Sequence, residues 1–145
     1  MNEKQAVIFK VGDETCALEI TEIQEIIEMK EICVIPNSNR KYLKGVINVR
    51  GIIIPVISLS ERLGKEQLPY TKKARILNVI TNDGLIGIIV DELEKVEKLK
   101  YEKMPVTIEE RLQNTCGYIA YLKEKIIPII DLGKILNIGG EKNDK

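Results

Sequence analysis

The amino-acid sequence predicts an all-β, mainly strand fold: two small five-stranded barrels in a pseudo-two-fold pair that share a hydrophobic core, with a few short helices. Three observations point there. Apolar residues fall in short runs rich in Val and Ile, such as GIIIPVISL at 51–59 and LIGIIV at 85–90, the mark of buried strands. The chain also repeats itself. GVINVRGIIIPVISLSERL at 45–63 resembles GYIAYLKEKIIPIIDLGKIL at 117–136, with Gly45 matching Gly117 and Pro55 matching Pro128. Upstream, ITEIQEI at 20–26 lines up with VDELEKV at 90–96. Finally, a unit of some 60 residues buries little surface alone, so two copies should share a seam. The 145 residues are therefore read as a single domain, 1–145, built from two repeated barrel halves at about 10–64 and 80–136.

Each copy reads as the same string of elements. A strand pair comes first, at 5–11 and 16–20 around Gly12-Asp13, and at 74–81 and 85–90 around Asn82-Asp83-Gly84. A short capped turn follows at Thr21 or Asp91, with Thr21 and Gln24 spaced as a capping box. The third strand is expected at about 28–34 and 95–101. A short helix comes next, starting by Asn37 or Ser38 in the first copy and at TIEE, 107–110, in the second. The last hairpin spans 45–50 with 52–57, and 117–122 with 125–130; the one-residue change of offset between the copies is assigned to its turn. Ser58 and Asp131 are expected to cap a final helical turn in each copy. The tail GGEKNDK is expected to be disordered.

Composition removes several classes of function. Lys plus Arg and Asp plus Glu number 22 each, so the basic excess that drives phosphate binding is absent. With one Phe, five Tyr and no Trp there are few platforms for stacking bases. No nucleic-acid partner is expected. Histidine is absent and the three cysteines, Cys16, Cys33 and Cys116, are dispersed. No metal, cofactor or nucleophile–base set is therefore expected, and the thiols are read as buried. The opening MNEKQAVIFK carries no export pattern. No apolar run approaches the roughly 20 residues that span a bilayer, so a cytoplasmic protein without direct membrane insertion is expected.

Most of the central hairpin is explained by turn chemistry. Asn48 suits the first position of a type I turn, and Gly51 the left-handed position of a G1 bulge after it. Pro55, unable to donate to a ladder, points to an edge or bulge. Arg50 is left over. The second copy has YLKEKI there, and Arg is the charged residue most favoured in interface hot spots. Ile23, Ile26 and Ile27 read as a core-facing turn with solvated acids between them, among which Glu25 is a candidate partner for Arg50 or for a foreign cation. The run ELEKVEKLKYEK at 92–103 reads as a strand with a charged face that blunts an edge.

At these residues the chain resembles the CheW family of bacterial chemotaxis coupling proteins over about Ala6 to Asn137. YLKGVINVRGIIIPVISL resembles the family's aromatic-x-x-Gly-Val-x-Asn-x-Arg-Gly segment followed by Pro-Val-x-x-Leu; LEITEIQEI, GIIVDEL and IIPIIDLGKIL match around it. Ser58-Leu59-Ser60 stands where the family usually has Asp-Leu-Arg. The resemblance implies two intertwined SH3-like barrels and a non-enzymatic adaptor. It would bind the cytoplasmic tip of methyl-accepting chemoreceptors and the regulatory domain of the histidine kinase CheA, and be recruited to membrane receptor arrays. Carried over residue by residue, receptor contact falls on Ile23, Glu25, Gly45 and Arg50, with Asn48 and Gly51 shaping the turn. A CheW-like scaffold serving a non-chemotaxis receptor–kinase pathway is the alternative. A hydrolase built on Asp91 and Glu92, and a nucleic-acid-binding barrel, are the readings from other classes.

Overall fold

The computed structural model describes residues 3–36, 40–105 and 114–136. Ten strands run in chain order: β1 (Glu3–Val11), β2 (Glu14–Glu19), β3 (Ile23–Glu28), β4 (Leu43–Val49), β5 (Ile52–Ser58), β6 (Arg75–Thr81), β7 (Gly84–Val90), β8 (Glu92–Lys103), β9 (Cys116–Leu122) and β10 (Lys125–Ile130). A 3-10 turn at Ile20–Glu22 precedes β3, and two single-turn helices, α1 (Leu59–Arg62) and α2 (Leu132–Ile135), close the copies. Among the described residues no helix is long and apolar enough to cross a membrane. The helices expected from Asn37 or Ser38 and at 107–110, and the tail, lie outside the described residues.

The strands form two five-stranded sheets, and the two copies exchange parts to make them. The first is a closed barrel in the order β1-β2-β10-β9-β8; the second runs β3-β6-β7-β5-β4. Each copy thus gives its opening hairpin to one barrel and its last three strands to the other. The boundaries of the sequence repeat are not the boundaries of the barrels. Parallel contacts stitch the copies together, Ile129 beside Ala17 in the first barrel and Val56 beside Gly87 in the second. Pro55 and Pro128 each stand one residue before that parallel pairing starts. Neither strand is an edge, the first of the two places the prolines suggested. The missing N–H falls just outside the parallel ladder, and a register irregularity lies close by in each hairpin, between Leu43 and Gly45 and between Ile129 and Ile130.

Alternation sends the two faces of the central strands into different cores. Ala6 and Ile8 of β1 fill the first barrel with Ala17, Leu99, Ala120 and Ile127. Ile47, Ile54, Val56, Ile76 and Ile89 fill the second. The opposite faces of the same strands, Val7, Phe9 and Leu18 against Leu77, Val79 and Ile88, build a shared seam between the barrels. Burial on both faces is why these strands read as unbroken apolar runs. Arg62 in α1 seals the pseudo-two-fold by donating to the Ile135 and Lys134 carbonyls, 2.7 and 2.9 Å away.

Ser58 and Asp131 cap their helices as expected, accepting from the Glu61 and Lys134 N–H. Other local expectations give way to tertiary structure. The 3-10 turn has no side-chain cap, and Thr21 donates to Glu19 instead. Asp91 caps no helix; its carboxylate accepts the Gly12 N–H across the barrels. β3 begins five residues earlier than expected, so Ile23, Glu25 and Ile27 alternate along a strand and Ile26 points outward, 38% exposed. Cys16 and Cys116 are buried but Cys33 is exposed. The two last hairpins have loops of equal length, so the change of offset does not fall in the turn: Pro55 faces Val46 and Pro128 faces Ile119. In register, the counterpart of Gly45 is Tyr118.

Candidate functional site

The site grows out of an unfinished seam. In the first barrel β8 pairs with β9 through Tyr101–Ala120, Glu102–Ile119 and Lys103–Tyr118. The equivalent elements of the second barrel are β3, with the segment that follows it, and β4. Among the described residues they share one bridge, from Cys33, five residues past the end of β3, to Val46. It is closed by two backbone hydrogen bonds of 2.8 and 2.9 Å. Gly45 makes it possible. Its φ is 147°, and a Cβ there would lie 2.2 Å from the Cys33 carbonyl oxygen. Gly45 is buried and offers no side chain, so its direct effect is to let two backbones meet.

The open end of the seam is spanned by side chains. Arg50 donates from both terminal nitrogens to the two oxygens of Glu25, at 3.1 and 2.7 Å. This is a bidentate fork between the β4–β5 turn and β3. The turn that aims it differs in type from the expected one. Val49 pairs with Ile52, leaving a two-residue loop in which Arg50 (φ 52°) and Gly51 (φ 88°) are both left-handed. That is the sign pattern of a type I′ turn, not a type I turn with a bulge. Asn48 does bond the backbone ahead, its side-chain oxygen accepting the Gly51 N–H at 2.9 Å. Gly51 meets no obstacle at its missing Cβ; only its dihedral requires glycine. Arg50 holds a left-handed conformation that side chains with a Cβ rarely adopt, as does Lys123 in the matching turn of the first barrel, so it is the fork with Glu25 rather than the strain that sets this turn apart.

The fork is exposed. The Arg50 side chain is 70% accessible and that of Glu25 26%. The Arg50 hydrogen bonds hold the Glu25 carboxyl below the ordinary carboxylate range, against a smaller desolvation penalty. Both ends of the pair are therefore charged at neutral pH, yet an exposed ion pair of this kind adds little to stability. Around it lie Ile27, Glu28, Met29, Lys30 and Val49, lining a shallow groove beside Arg50. Ile52 and Ile53 stand exposed just past the turn. Ile23 sits farther along β3, half-buried against the shared core.

The structure thus joins Arg50 to Glu25 directly, shapes their turn with Asn48 and Gly51, closes the seam behind them with Gly45, and sets Ile23 on the same strand. The residue sequence reasoning missed is Cys33, the backbone partner that Gly45 admits; its own lone Cys gave no signal. The Asp91–Glu92 pair is engaged structurally, Asp91 with Gly12 and Glu92 at 3.9 Å from Lys73. Among the described residues no three His, Cys, Asp or Glu side chains group as metal ligands.

Comparison with known proteins agrees with this architecture. The family model of the CheW-like domain matches residues 5–138. The chemotaxis protein CheW of Helicobacter pylori is 30% identical over 135 residues, covering 91% of this chain and 81% of that protein. Chemotaxis protein CheW of Bacillus subtilis is 26% identical over 137 residues, 92% and 87% of the two chains. The crystal structure of the scaffolding protein TtCheW from Thermoanaerobacter tengcongensis superposes with a TM-score of 0.84 at 31% identity, over 95% of each chain.

Proposed function

This chain belongs to the family of CheW-like domains, and from that membership we propose that it is a chemotaxis coupling adaptor that acts by binding alone. Its partners are the cytoplasmic tip of methyl-accepting chemoreceptors and the regulatory domain of the histidine kinase CheA, and it is recruited by them to membrane receptor arrays. The observation that carries this reading is the Arg50–Glu25 fork. A bidentate pair held out on a strained turn, over a seam that the sister barrel closes with backbone, has no use for stability alone. It has the chemistry of a recognition element: a planar cation aimed by a rigid hairpin, ringed by exposed isoleucines. Because the fork is solvated, Arg50 can exchange Glu25 for groups of a partner at small cost. Glu25, Ile23 and Gly45 serve the same receptor face, Gly45 by fixing the seam on which the others sit.

Co-sedimentation of wild type and Arg50→Ala with a purified receptor signalling tip and, separately, a CheA regulatory domain tests this. The wild type is expected to bind both. The variant should fold normally, keep the kinase domain and lose receptor affinity by roughly tenfold or more, as for a hot-spot arginine. Unchanged receptor affinity in the folded variant removes Arg50 from the site. Wild type that binds neither partner ends the adaptor reading.

A further inference from the structure

Asn78 is wholly buried inside the second barrel, and neither its amide nitrogen nor its amide oxygen has a hydrogen-bond partner. It lies in RILNVIT, where Ile76 fills the same barrel and Leu77 and Val79 face the shared core. An apolar residue would suit that place better, because an unpaired buried amide is costly. The sister barrel has one. Its equivalent position is Ile8, fully buried and paired in register with Lys95, as Asn78 is with Glu25. The two barrels therefore differ at two facing positions together: Lys95 and Ile8 in one, Glu25 and Asn78 in the other. The backbone makes room as well. Gly87 stands beside Asn78, and a Cβ on it would lie 3.2 Å from the amide oxygen.

We propose that Asn78 is a positioning residue for the receptor-facing pair, its amide N–H taking over the Glu25 carboxylate when Arg50 turns outward to a partner. In the free protein both Glu25 oxygens are occupied by Arg50, and the Asn78 amide stands on the register position opposite without a hydrogen-bond partner. Once Arg50 leaves, a partly buried carboxylate would lack a donor, and a buried donor is already in place. Satisfying both at once offsets the loss of the fork and lets Arg50 move. The Asn78 amide already adds, after Arg50, to the lowering of the Glu25 pKa without reaching hydrogen-bond geometry. The part that concerns receptors rests on the adaptor reading; the exchange of partners at Glu25 does not.

Two experiments decide it. The first needs no partner. In Arg50→Ala, the Glu25 carboxyl is titrated by NMR with Asn78 intact and with Asn78→Val added. The expected result is a lower Glu25 pKa when Asn78 is present, with the Asn78 side-chain amide protons shifted by the new bond. A Glu25 titration indifferent to Asn78 overturns the proposal. The second compares wild type with Asn78→Val and with Asn78→Ile, the sister barrel's residue, should one of them pack poorly. Urea denaturation should show the free protein equally or more stable, while receptor affinity falls about fivefold. A merely structural asparagine would move stability and binding together. If wild type binds the receptor tip and a stable variant binds as well, the positioning role is wrong. If wild type binds no receptor tip, the adaptor reading fails and the partner-free titration alone judges Asn78.

Discussion

The two barrels share strand order and differ in how they close. The first seals the β8–β9 seam with three consecutive residue pairs; the second keeps one backbone bridge at Cys33–Val46 and spans the rest with Arg50 and Glu25. One copy of the fold spends its seam on stability, while the other leaves strand edges and side chains free to meet something else. That is how a duplicated scaffold acquires a face without adding an element: backbone pairing is withdrawn and replaced by a pair of side chains that can let go.

The bridge is where that difference can be broken most severely. Gly45→Ala would drive a methyl group into the Cys33 carbonyl at a φ of 147°. It should cost roughly 3 kcal/mol or more, read as a fall in the urea midpoint. Gly117, its match in the sequence repeat, provides the contrast. A Cβ there approaches only the Asp131 side chain, at 3.0 Å, so Gly117→Ala should cost about 1 kcal/mol, near the value of the helix cap it disturbs. Equal losses at the two glycines would mean that the single bridge does not close the second barrel.

These glycines also show what the sequence could and could not reveal. The hairpins, the two helix caps and the shared core were legible, because each depends on local turn chemistry or on alternation that survives any packing. Gly45 and Gly117 look equivalent in sequence, yet in register Gly45 corresponds to Tyr118. Pairing fixes the true offset, and pairing is not a local property. The exchange of strands between copies is invisible for the same reason, since a hairpin reads alike whichever barrel receives it. At the site, Asn48, Gly51 and the Glu25–Arg50 pairing were within reach. The left-handed Arg50 and the buried Asn78 were not: an isolated Asn in an apolar strand carries no hint of whether its amide is satisfied.

The turns allow a finer comparison. Arg50 and Lys123 occupy matching places, and both are left-handed, at φ 52° and 60°. Glycine at either relieves the same backbone strain. Lys123→Gly should therefore stabilise the protein by about 0.5–1 kcal/mol in thermal or urea unfolding and leave receptor binding alone. Arg50→Gly should gain less, because the fork is lost with the strain, and should lose receptor affinity as Arg50→Ala does. If Lys123→Gly weakens receptor binding as much as Arg50→Gly, the two turns are functionally alike and the asymmetry between barrels carries no meaning.

The smallest effect concerns two carboxylates only three residues apart that ought to respond to acid in opposite senses. Glu25 is held below the ordinary value of 4.5, chiefly by its hydrogen bonds from Arg50. Its contribution is present above 4.5 and is lost as pH falls through the lowered native value. Glu22 is raised, first by burial and then by Glu19 and Asp131. Its favourable contribution exists below 4.5 and is lost as pH rises through the raised native value. At neutral pH, Glu22→Gln should thus unfold at slightly higher urea than wild type and Glu25→Gln at slightly lower. In strong acid, where every carboxyl is protonated in both states, all three midpoints should converge. Added salt should shrink the Glu25 difference, since that fork is solvated, and should affect the part of the Glu22 difference due to burial much less. Two variants that move together with pH would show that the solvated fork and the half-buried Glu22 carboxyl, whose charged neighbours are Glu19, Asp131 and Lys4, are one electrostatic unit. Opposite slopes would show that Glu25 answers chiefly to Arg50 and independently of Glu22, as a pair free to change partners must.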